Sequence, residues 1–108
     1  MSRNCADFHI IGNVAKVLKM DKVTKVTIAA NLRSKKGEAW VDDPHFNTVN
    51  IWDKSTRDYI EKDVATGDLV RVVGRFKESS YDDKKTGEKV YTVDFHTSDF
   101  SRLAAKQS

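Results

Sequence analysis

With 108 residues, 39% hydrophobic and 32% charged, the chain can build one domain around one modest core and is too short for two. No apolar run approaches membrane-spanning length, and the single cysteine, Cys5, excludes an internal disulfide and gives no pair for a zinc site. The formal charge of +3 is a weak hint, but residues 1–40 carry eight Lys/Arg against three Asp/Glu while residues 41–80 carry six against eight, so the positive half suggests an anionic partner such as nucleic acid. Charge alone leaves an ordinary charged surface the better account. The N-terminus, MSRNCADF, lacks the basic-then-apolar layout of a signal peptide, so a cytoplasmic protein is expected.

The first strand signal is FHIIGNV, residues 8–14, ended or bent at Gly12. Ile10 and Ile11 are adjacent, so apolar residues fall on both faces. One barrel interior needs only one of them, and the other predicts contact with a second subunit. AKVLKMDK, residues 15–22, reads as a polar connection with three lysines. Residues 23–31 alternate strictly, with Val26, Ile28 and Ala30 opposite Thr27, Ala29 and Asn31. LRSKKGEAW then reads as a long β-hairpin with its tip at Lys36-Gly37, which puts Arg33, Lys35, Lys36 and Trp40 on a protruding arm. Pro44 predicts a break before a third strand at residues 46–52.

Ser55-Thr56-Arg57-Asp58 fits a capping box, with Ser55 as N-cap, and opens the one helix; Tyr59, Ile60 and Val64 mark its apolar side and Gly67 its stop. LVRVVGRFK, residues 69–77, is the fourth strand, with Val70, Val72 and Phe76 on one face and Arg71, Val73, Arg75 and Lys77 on the other. A polar hairpin loop with a Thr86-Gly87 turn leads to VYTVDFH, residues 90–96, where Tyr91, Val93 and Phe95 are expected to face the core. Residues 1–100 thus form the domain, and 101–108, SRLAAKQS, are expected to be a flexible tail. The order strand-strand-strand-helix-strand-strand is that of an all-β, five-stranded OB-fold, a Greek-key barrel with one short helix between strands 3 and 4.

Within the third strand, Val49 and Ile51 point one way and Phe46, Thr48, Asn50 and Trp52 the other. Two large rings among small polar residues make a surface suited to stacking on unpaired bases. The plainer reading makes Phe46 and Trp52 β-formers packed beneath a loop. On this stretch alone the two readings stand level.

FHIIGNV, VTIAAN, HFNTVNIW, TGDLVRVVGRFKESSY and TGEKVYTVDF, in that order and spacing, resemble the bacterial single-stranded DNA-binding proteins from residue 8 to about 100. The resemblance implies sequence-independent binding and protection of single-stranded DNA in replication, recombination and repair, in the bacterial cytoplasm at the nucleoid. It implies base-stacking by Phe46 and Trp52 at the two ends of the third strand and by Tyr81 after the fourth. A hairpin tryptophan of that family finds its counterpart in Trp40, on the returning arm. Arg33, Lys35, Lys36, Arg75 and Lys77 are the phosphate candidates, with Thr48 and Asn50 beside the rings. A homotetramer paired through the first strand is also implied. Family members generally continue into a flexible tail with an acidic, proline-containing end that recruits other enzymes. This sequence ends Ala105-Lys106-Gln107-Ser108, whether as a trimmed chain or a short member, and recruitment of that kind is not expected of it.

No catalytic or metal pattern accompanies these features. His9, His45 and His96 are scattered, Asp42-Asp43 and Asp82-Asp83 read as solvated turn acids, and no nucleophile-elbow, P-loop or zinc-protease motif occurs. No enzyme activity, metal, cofactor or membrane partner is therefore expected. The rival to single-strand binding is an OB-fold primosome-type component acting mainly as a protein-interaction module. RNA also remains open as a ligand, because stacking does not read the 2′-hydroxyl.

Overall fold

Strand β1 (Asp7–Lys19) opens the chain, followed by β2 (Thr24–Lys36), β3 (Ala39–Ile51), helix α1 (Lys54–Asp63), β4 (Leu69–Asp82) and β5 (Lys89–Ala104), in a computed structural model that describes residues 4–106. The strands close into a barrel in the order β1-β2-β3-β5-β4, antiparallel except for one parallel contact between Asn50 of β3 and His96 of β5. This is the five-stranded barrel with one helix between the third and fourth strands that the element order predicts.

The barrel closes because β1 serves two neighbours. Its first half pairs with β4, from Asp7 opposite Arg75 to Asn13 opposite Leu69, and its second half pairs with β2. A bulge between Val14 and Lys16 bends the strand at the changeover, as an extra residue in one strand does. Residues 15–19, expected as a loop, therefore belong to β1. Tight curvature also explains two glycines: a Cβ on Gly12 would strike the Ala29 carbonyl, and one on Gly74 would strike the His96 carbonyl and the Phe8 ring.

Val26, Ile28, Val49, Ile51, Val70, Val72 and Phe100 fill the interior, with Phe8 edge-on to Phe95 at 5.2 Å. The helix closes one end by inserting Ile60, whose burial contributes about 1.5–3 kcal/mol. Arg57 fastens it to the β1–β2 turn through the carbonyls of Met20 (2.8 Å) and Asp21 (3.0 Å). The N-cap is Asp53, not Ser55: its carboxylate accepts from the Thr56 amide at 3.0 Å and from the Ser55 and Thr56 hydroxyls. Those bonds, the Ser55 hydroxyl first, hold the Asp53 carboxyl below its ordinary value. The helix also stops short of Gly67, at Asp63 with Val64 as C-cap.

Beyond the barrel the strands continue as two arms. Past Ala29 and Phe46, β2 pairs only with β3, and past Phe76 and Phe95, β4 pairs only with β5. Pro44 therefore does not break β3. Its strand has a neighbour on one side only there, and an edge strand is where a proline is tolerated. Tyr91 and Val93, expected in the core, lie on the second arm and are exposed, and only Phe95 packs against the core. Phe76 is likewise largely exposed, tilted against Phe95.

The expectation of an unheld tail from residue 101 is corrected for residues 101–106; residues 107–108 lie outside the described residues. Strand β5 runs to Ala104, opposite Leu69, and the buried Asp68 carboxylate accepts the backbone N–H groups of Ala65 and Lys106, both at 2.9 Å, with Arg102 at 3.7 Å. Sequence periodicity ends before these contacts, because an aspartate reaching across the fold leaves no local pattern. The Ala65 and Lys106 bonds lower the Asp68 pKa, Ala65 first. A carboxyl with a lower pKa folded than unfolded stabilises fully above its unfolded value, and the contribution is lost as pH falls through the folded one. Asp68→Asn should therefore lower Tm at pH 7 and flatten the fall in Tm on acidification below about pH 4, as thermal melts across pH would show. An acid limb as steep as the parent's would remove Asp68 as its cause.

Candidate nucleic-acid interface

Directly opposed residues of an antiparallel pair share a face, as do residues two apart along a strand. On the outer face of β2 and β3 this groups Lys35 with Trp40, Arg33 with Asp42, Ala29 with Phe46, Thr27 with Thr48 and Lys25 with Asn50. Trp52, one step past the strand, turns the same way and donates its indole N–H to Nδ1 of His96 at 3.0 Å. His96 lies opposite Arg75, and from there the outer face of the second arm carries Lys77 with Asp94, Ser79 with Thr92 and Tyr81 with Val90. One continuous surface therefore runs from Trp40 at one arm, across the barrel, to Tyr81 at the other. At about 3.3 Å per residue, its β3 portion alone follows roughly 40 Å of strand from Trp40 to Trp52.

The four aromatic candidates are open to solvent: Trp40 is 58% exposed, Phe46 61%, Trp52 53% and Tyr81 58%. None is a core residue, which decides against the reading that packs Phe46 and Trp52 beneath a loop. Thr48 lies between them and shares a 2.8 Å hydrogen bond with Thr27. Of the cations, Arg33, Lys35, Arg75 and Lys77 lie on this surface. Lys36 does not: it pairs with Ala39 at the arm tip, on the opposite face. Asn50 has the right parity but is only 6% exposed, and its Oδ1 accepts from Lys25 Nζ at 2.9 Å. It serves the surface by holding Lys25 there.

Acids interrupt the surface at few points. Asp42 faces Arg33, and Asp94 accepts from Ser79 at 2.8 Å, while Asp43, engaged by His45 at 3.1 Å, falls on the opposite face. Rings spaced along a strand with cations between them can stack on successive bases while neutralising the phosphates that join them. Lys25, Thr27 and His96 are members that sequence reasoning missed. Parity could have found the first two, since they alternate with Val26 and Ile28. His96 enters through the parallel β3–β5 contact, which has no local signature.

The model of the single-strand binding protein family matches residues 6–103. A single-stranded DNA-binding protein of Borreliella burgdorferi is 37% identical over 70 residues, 62% of this chain and 44% of that protein. The chain thus matches less than half the length of that relative. Among solved structures, the mitochondrial single-stranded DNA binding protein of S. cerevisiae superposes with a TM-score of 0.74 at 14% identity, covering 96% of this chain and 100% of that one. A Plasmodium falciparum SSB, solved with single-stranded DNA, gives 0.75 at 16%, covering 95% and 98%. A small single-stranded DNA-binding protein of Streptomyces coelicolor gives 0.62 at 24%, covering 93% and 95%. At such identities the structural likeness is one of fold.

Proposed function

This chain belongs to the single-strand binding protein family, and from that premise we propose that it binds single-stranded DNA with little sequence preference, covering exposed strands during replication, recombination and repair. The observation that carries this reading is the unbroken outer surface joining Trp40, Phe46, Trp52 and Tyr81 through Arg33, Lys35, Arg75 and Lys77. Every base has a π-face, so stacking holds a strand without choosing its sequence. The role is one of binding, without catalysis.

We also propose a self-association of the barrel through the outer face of β1. Ile11 is 48% exposed there, between His9 and Asn13 and opposite Arg71. A partner's matching strand would cover it, and the family resemblance implies four copies in all.

Fluorescence titration with dT oligomers of several lengths at two salt concentrations tests the reading. Tight binding that strengthens with oligomer length supports it, and weak, strongly salt-dependent binding beside a tight protein partner would favour a protein-docking role. The basic arm has its own signature. Arg33→Ala with Lys35→Ala should flatten the log–log salt slope by about 0.7 for each phosphate left without its cation, and Lys36→Ala should change it less. Equal effects of all three would show that the strand follows the arm tip instead of its outer face.

A further inference from the structure

The hydrogen bond between Trp52 and His96 joins the stacking platform of β3 to β5 through one imidazole. An indole N–H can only donate, so Nδ1 of His96 is the acceptor and the ring carries its own proton on Nε2. That leaves a second donor on a ring whose backbone is fixed between Asn50 of β3 and Arg75 of β4. The bond also restrains a half-exposed tryptophan, whose ring would otherwise lose rotamer freedom when a base stacks on it.

His96 also lines a cleft of about 340 Å³ between residues 4–6 and β4, where Arg75, Phe76 and Lys77 form the other wall. Arg75 and Lys77 come from β4, and neither makes an ion pair among the described residues. The carboxylates nearby are Asp7, in register with Arg75, and Asp94, in register with Lys77 and already accepting from Ser79. Across β3, Lys25 adds a further cation, held by Asn50. An arginine, a lysine and a histidine lining one cleft bring side-chain chemistry that suits an anion.

We propose that Trp52, His96, Arg75 and Lys77 form a single nucleotide subsite. The indole stacks on a base, the cleft takes the phosphate attached to that nucleotide, and His96 is the positioning residue that holds the indole in its stacking pose. The inference rests on the single-strand-binding reading above and assigns its Trp52 contact a partner and a phosphate pocket.

Anisotropy titrations of a fluorescein-labelled dT oligomer test it. His96→Ala should weaken binding about three- to tenfold, the effect of one hydrogen bond. Trp52→Phe keeps a stacking ring but lacks the N–H, so in that background His96→Ala should matter much less. His96→Asn, whose amide oxygen can accept the indole N–H, should recover most of the lost affinity. Arg75→Gln should flatten the salt slope by about 0.7. If His96→Ala loses its fold by circular dichroism, His96→Leu replaces it in both backgrounds. Parent-like binding of the His96 variant, additive His96 and Trp52 effects, or an unchanged slope for Arg75→Gln would each overturn the subsite while the parent still binds dT. A parent that fails to bind dT would overturn the single-strand-binding reading itself, and the subsite with it.

Discussion

Phe46→Ala combined with Trp52→Ala is expected to weaken binding to a dT oligomer by roughly 30-fold to more than 10⁴-fold. Each aromatic–base stack removed costs about 1–3 kcal/mol, and the two rings sit six residues apart on one face of β3. Both are more than half exposed, so the double variant should keep its fold and melt near the parent. Trp52 alone gives up a tertiary hydrogen bond, to His96, so a small loss of stability should trace to that position and not to Phe46. Titration at fixed salt, with circular dichroism on the same samples, is the measurement. Parent-like affinity would mean that DNA follows another surface, and collapse of the fold would make the rings structural.

The second large effect concerns assembly. Ile11→Glu should convert an oligomer into folded single subunits and reduce affinity for long single strands by about 10²–10⁴-fold, the range that linked sites add over isolated ones. Short oligomers, which reach one barrel only, should bind as before. The fold should tolerate the change, because Ile11 points outward and the new carboxylate would lie beside Arg71, already near Asp99 at 3.6 Å. Sedimentation of parent and variant separates the outcomes. A monomeric parent at micromolar concentration would remove the proposed interface, and an oligomeric variant would place it away from Ile11.

The features legible in the sequence depend on near neighbours. Period-two alternation places Val49 and Ile51 inside and Phe46 and Trp52 outside, and the structure agrees because a strand's two faces follow from the chain itself. Lys36-Gly37 and Thr86-Gly87 mark hairpin turns through residues at the turns. The strand order, with a helix after the third, was enough for the barrel class. Alternation misled at Tyr91 and Val93: it tells which residues share a face, but not how far the barrel extends along the strand. Beyond Phe76 and Phe95 the inward face has no opposite wall, so apolar side chains there remain in water.

The cap of α1 shows the same limit at short range. Asp53 and Ser55 are both competent N-caps by type, and the backbone path out of Trp52 decided that Asp53 reaches the Thr56 amide. The sequence by itself determined the order of the elements, the outward parity of the rings and the basic composition of the first arm, because each depends on residues only a few positions apart. Only the tertiary structure decided that β3 meets β5, that His96 holds Trp52, that Asn50 is shut in and that Asp68 ties down the end of β5. Those contacts join residues 25 to 46 positions apart, and they exist because a bulged β1 pairs on both sides and closes the barrel, a condition that the chain as a whole satisfies.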